Sequence, residues 1–189
     1  MHPAFPRAAN HGTPTDMTAD DRRDALIDRL ADHMLAKGVG ASSLRALAKA
    51  SGTSDRMLLY YFRDKDELVA ATLERVAARF SGALDAFAPA TPLPFDALLA
   101  HLAPVLLDDA GWPYMRVWLE IASRSANGDA ACRAAGEAIG HGFHAWGAAH
   151  LDSAPGRRER DAARLFATLE GMVLLKALGL EDVSRIAAG

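Results

Sequence analysis

Apolar residues recur along this chain at steps of three and four and hardly ever alternate with polar ones, so the pattern predicts helices throughout and no strand. Thr18 followed by Asp21 resembles a capping box. It opens a helix whose face Leu26, Ile27, Leu30, Met34 has helical spacing and which stops near Lys37, with Gly38 as a left-handed end. Ser42 is expected to cap a short second helix broken at Ser51-Gly52, and a third runs from about Ser54 to Tyr60. Asp64, with Glu67 three residues on, caps a long fourth helix; its stripe Val69, Leu73, Val76, Phe80, Leu84, Phe87 keeps steps of 4, 3, 4, 4, 3. APATPLP, Ala88 to Pro94, reads as a loop. After it 95–108, 112–126, 129–151 and 157–178 are each long and amphipathic or apolar, separated by DAGWP, ANGD and SAPG. No repeat period is visible. The expectation is an all-α chain, a small four-helix N-terminal unit followed by a larger helical bundle.

The second and third helices form a candidate helix-turn-helix. Such a unit needs a small residue where its helices cross, a residue tolerant of positive φ in the turn, and apolar inner faces. Ala48 and Gly52 supply the first two, and Leu44, Leu47, Leu58 and Tyr61 could close the core. Ser54, Asp55, Arg56, Met57 and Tyr60 are then left for the outer face, the face that enters a major groove.

The stretch from about Asp21 to Leu68 resembles the DNA-binding domain of TetR-family transcriptional regulators. The residues that carry the resemblance are a glycine-ended first helix, then SSLRALAKASGTS, then LLYYF, then RDKDEL. It departs from the family pattern at Arg56, where a Gly is common, and at Leu59, where the first Tyr of an aromatic pair is usual. The resemblance implies phosphate contacts from Ser43, Tyr60 or Tyr61, and Lys65. It places Arg45, Asp55, Arg56 and Met57 at base edges. The stretch 1–17, rich in Pro, Ala, His and Gly, reads as a disordered tail. The resemblance further implies a helix-turn-helix DNA-binding domain over 18–66 and an effector-binding and dimerisation domain over 67–189. The function to expect is a homodimeric repressor released from a near-palindromic double-stranded operator by a small-molecule effector, as yet unknown. A regulator without a small-molecule pocket and a small all-helical enzyme are the rivals.

Composition changes this picture little. Net charge is −3, which alone argues against a nucleic-acid partner. Residues 21–80, however, hold 11 Lys plus Arg against 9 Asp plus Glu, a net of +2, and the rest from 81 onward holds 9 against 13, a net of −4. Cys132 is the only cysteine, which excludes an intrachain disulfide. No apolar run approaches the roughly 18 residues of a membrane span, and the N-terminus lacks the pattern of a secretory signal, so a cytoplasmic home is expected. No GxSxG, P-loop, HExxH or GxGxxG occurs, and no enzyme activity or cofactor is expected. His141 and His144 sit three apart and could share a metal, but surface or core histidines are the default, and no metal is assigned.

In the C-terminal part, the helix WPYMRVWLEIASRSA reads as a core stripe or as the wall of an effector pocket. The pocket reading takes Met115, Trp118 and Glu120 from it, with Leu98, His101, Phe143 and Phe166 from neighbouring helices. GMVLLKALGL is apolar nearly all round, more than a small bundle can cover. A homodimer interface is therefore expected from Ile139, Phe143, Trp146, Leu165, Leu169, Met172 and Val173.

Overall fold

The computed structural model describes residues 18–41 and 43–188. Their backbone forms α1 (Ala19–Lys37), a 3-10 turn (Val39–Ala41), α2 (Leu44–Ser51), α3 (Asp55–Tyr61), α4 (Lys65–Ala86), α5 (Phe95–Leu107), α6 (Trp112–Ala126), α7 (Ala130–His150), α8 (Arg158–Ala177) and α9 (Glu181–Ala188). Among the described residues there is no strand, only a single parallel bridge between Leu93 and Leu151. The expected tail over 1–17 lies outside the described residues. No helix among them is long and apolar enough to cross a membrane.

The helix ends follow from local chemistry. Thr18 accepts from the Asp21 N–H while the Asp21 carboxylate accepts from the Thr18 N–H, a complete capping box. Ser43 caps α2 by accepting from Ala46 at 3.2 Å; Ser42, expected in that role, lies outside the described residues. Ser54 caps α3 through the Met57 N–H, and Asp64 caps α4 through the Glu67 N–H at 2.8 Å. Gly52 takes φ 69°, the left-handed turn that closes α2 and that side chains with a Cβ resist. The pattern does not predict two of the elements, α9 and the 3-10 turn, the latter too short for periodicity to declare it.

The chain divides into two compact units, one made of residues up to Phe80 with Arg116–Gly136, the other of Ser81–Met115 with Glu137–Gly189. In the first, α1, α2 and α3 close on Leu26, Ile27, Leu30, Met34, Leu47, Ala48, Leu58 and Phe62, all buried. Burial of each such leucine is worth about 1.5–3 kcal/mol. Arg75 and Arg79 of α4 bind along α1: Arg75 reaches Asp24 at 3.1 Å and Asp28 at 2.7 Å, and Arg79 reaches Asp28 at 2.8 Å and Asp32 at 2.7 Å. Partial burial would raise the Asp28 carboxyl, but hydrogen bonds and charge from Arg75 and Arg79 outweigh it and lower the group below its ordinary value.

In the second unit α5 packs on α8, and Leu98 and Leu102 of α5 and Leu165, Leu169, Met172 and Val173 of α8 are buried. Phe143 is buried too, with the Phe166 ring centred 5.3 Å away. Phe143, Leu165, Leu169, Met172 and Val173, expected at a dimer face, are buried within the single chain. Ile139 and Trp146 are half-buried, and the Trp146 indole donates to Asp85 at 3.1 Å. Exposed apolar side chains stand instead at the end of α8 and beyond, at Leu174, Leu178, Leu180, Val183 and Ile186.

Candidate nucleic-acid interface

The buried side of α3 consists of Leu58, with Phe62 just past its end, and together they fix the helix in the core. The Arg23 guanidinium lies 4.7 Å from the centre of the Phe62 ring, which adds a cation–π contact from α1. With that side anchored, Ser54, Asp55, Arg56, Met57, Leu59 and Tyr60 are exposed. Tyr61 is half-buried and meets Tyr60 edge to face at 5.1 Å. Tyr60 is therefore the more accessible of the two tyrosines, 74% exposed.

Ser43, Arg45 and Lys65 are exposed as well, at the start of α2 and of α4. The Ser43 and Ser54 hydroxyl oxygens accept cap hydrogen bonds from the Ala46 and Met57 N–H groups. Among the described residues, no ion pair engages Arg45, Lys49, Arg56 or Lys65, whereas Arg63 is paired with Asp64 at 2.9 Å. The Glu67 N–H and the Arg63 side chain hold the Asp64 carboxyl below its ordinary value, so the start of α4 carries a fixed negative charge beside Lys65. All nine residues read from the sequence as DNA contacts thus fall on α2, α3 or the start of α4 or on their caps, Tyr61 alone being half-covered. Leu59, 47% exposed, stands out in the sequence only as a departure from a family pattern.

The expected pocket residues are placed differently. Trp118 and Glu120 belong to the first unit, and Leu98, His101, Met115, Phe143 and Phe166 to the second. Leu98 and Met115 are buried, and Trp118 and Phe166 are half-buried. His101 is exposed, with Nε2 2.7 Å from the Phe87 carbonyl oxygen. The Glu120 carboxylate accepts the Gly40 N–H at 2.8 Å and fills the space beside Gly38. One turn earlier on α6, Arg116 donates to the Leu35 carbonyl at 2.9 Å, satisfying an orphan acceptor in the last turn of α1. Glu120 is thus a clamp on the end of α1. Its partner lies 80 residues away, which no local pattern reveals.

His144 approaches the Glu159 carbonyl at 3.2 Å, and among the described residues no group of three or more His, Cys, Asp or Glu is placed to hold a metal ion. Cys132 is buried, and burial first, then Asp129, pushes its thiol up, which disfavours the reactive thiolate.

Two short helices joined at a left-handed glycine, the second anchored on one side and bare on the other, form a helix-turn-helix unit, the arrangement that presents one helix to a DNA groove. Residues 26–72 match the family model described as bacterial regulatory proteins, tetR family. The likeness to that family lies in this N-terminal region. The HTH-type transcriptional regulator BetI of Pseudomonas fluorescens is 29% identical over 103 residues, 52% of this chain and 51% of that protein. The chain thus matches about half the length of this curated relative. Among solved structures, a transcriptional regulator from Rhodococcus sp. superimposes with a TM-score of 0.69 at 24% identity, covering 87% of this chain and 90% of that one. The reduced form of NemR from E. coli superimposes with a TM-score of 0.71 at 20% identity, covering 89% and 94%. These likenesses establish the fold.

Proposed function

We propose that the chain is a transcriptional regulator that binds a near-palindromic operator as a homodimer, as a repressor, and leaves it when a small-molecule effector binds. The observation that carries this reading is α3, held by Leu58 and Phe62 and presenting Arg56, Met57 and Tyr60 to solvent, with unpaired Arg45, Lys49 and Lys65 around it. Arg45 and Arg56 act at base edges with Asp55 and Met57, while Ser43, Tyr60 and Lys65 hold phosphates. Dimerisation is supported by the exposed apolar residues Leu174, Leu178, Leu180, Val183 and Ile186, which a second copy would cover. A two-fold dimer sets its two α3 helices about 34 Å apart, one helical turn of DNA.

Release would follow from population shift: an effector that prefers the conformation with wrongly spaced reading helices lowers DNA affinity by that difference in affinity. The half-buried Phe166, tilted against Phe143, is the natural pocket wall. The engagement of Glu120 with Gly40 and of His101 with the Phe87 carbonyl favours a second reading. With both polar groups committed inside the chain, control comes from a protein partner instead.

The test is fluorescence anisotropy of the purified chain on the DNA flanking its own gene and on random DNA, across a salt series. Lys65→Ala should weaken both DNAs alike and lower the salt slope by about 1, as expected when one phosphate is no longer neutralised. Arg56→Ala should cost about 1–3 kcal/mol on the preferred DNA and less on random DNA. Equal fractional losses on both DNAs for the two variants would show these roles to be misassigned.

A further inference from the structure

Among the described residues of the first unit, every large apolar side chain that stands open to solvent lies on one seven-residue helix: Met57, Leu59 and Tyr60 of α3, exposed by 41%, 47% and 74%. Nothing in the fold calls for apolar groups at 57 and 59, because Leu58 and Phe62 already anchor this helix. At about 100° per residue, Arg56 and Tyr60 lie on the line opposite Leu58, and Met57 and Leu59 flank that line on its two sides. Among the described residues no ion pair engages Arg56 on this helix, Arg45 and Lys49 on α2 just before it, or Lys65 at the start of α4 just after it, all exposed, so the partner to expect is negatively charged as well as apolar at points.

Leucine has neither donor nor acceptor and cannot hold a phosphate oxygen. On the edges of the major groove one group is apolar, the C5-methyl of thymine, while guanine O6 and N7 suit the guanidinium of arginine. We propose that α3 reads thymine methyl groups through Leu59 and Met57, on the two sides of a guanine contact made by Arg56. The inference rests on the DNA-binding reading above and adds to it the base feature recognised.

The experiment selects preferred duplexes from random DNA with the full chain, then replaces each thymine singly by deoxyuridine, which lacks only the methyl. At one or more positions in each half-site the replacement should weaken binding about fourfold, the worth of one buried methyl. Leu59→Ala or Met57→Ala should then bind thymine and deoxyuridine alike at those positions. The deoxyuridine arm alters no residue, so a misfolded variant cannot imitate its result. The proposal is overturned if every deoxyuridine duplex binds within about twofold of its parent, or if each loss persists unchanged in both variants. Either outcome leaves the DNA reader standing, whereas failure to bind any duplex at low salt overturns both readings.

Discussion

Gly38→Ala tests the clamp on α1 most directly. Gly38 sits at φ 85°, ψ 169°, a region essentially reserved for glycine, and forcing alanine into it costs of order 1–3 kcal/mol. The added Cβ would also overlap the Glu120 carboxylate, which must withdraw and give up the Gly40 N–H it holds at 2.8 Å. That bond is solvent-accessible, so its loss is worth about 1 kcal/mol rather than the 1.5–3 kcal/mol of a buried charge-assisted bond. The single variant should therefore lose about 2–4 kcal/mol. Glu120→Ala alone should lose about 1 kcal/mol, and the double variant should fall short of the sum of the two by about 1 kcal/mol, because the carboxylate can be displaced only once. Urea unfolding followed by circular dichroism at fixed protein concentration reads all three. Additivity within about 0.5 kcal/mol would mean that the two residues do not meet, and the clamp would have to be abandoned.

Asp28→Asn probes the arginine ladder by pH. The folded carboxyl titrates below its ordinary value of 3.8, so its contribution is present above that value and disappears as pH falls through the folded value. The variant should trail the parent by about 1 kcal/mol at pH 7, allowing for solvent screening, and the gap should shrink as pH falls below 3.8; a gap that stays constant down to the acid limit of folding would sink the assignment. Ile186→Asp places a charge on a side chain 80% exposed, which should leave the single chain folded and move sedimentation from dimer to monomer at micromolar concentration. Unchanged sedimentation of the variant, or a monomeric parent, would remove this face from the interface.

What the sequence reveals and what it hides divide by distance along the chain. Caps and stops are local, so Thr18 with Asp21, Gly38, Gly52, Ser54 and Asp64 can each be read from a few neighbours. Where two serines stand together, at 42 and 43, the neighbouring residues do not decide which of them caps. The outer face of α3 is legible because only Leu58 in that short helix has to be inside. Pairings between distant elements are not. Asp24, Asp28 and Asp32 repeat at steps of four, as do Arg75 and Arg79, yet either series alone reads as a solvated helix face. The all-round apolar end of α8 is divided in a way that composition does not show: Met172 and Val173 go inside while Leu174 and Leu178 stay out.

Those hidden pairings hold the flank and the C-terminal end of α1. α1 is held by charged groups on two fronts, by Arg75 and Arg79 of α4 along its length and by Arg116 and Glu120 of α6 at its C-terminal end. Apolar packing resists displacement in proportion to buried area, whereas a solvent-accessible ion pair is worth at most about 1 kcal/mol and can be exchanged for water. Coupling free energies between sites run about 1–3 kcal/mol, the worth of one to three such pairs. Losing one of these polar contacts therefore costs little beside the apolar core that holds α1 through Leu26, Ile27, Leu30 and Met34.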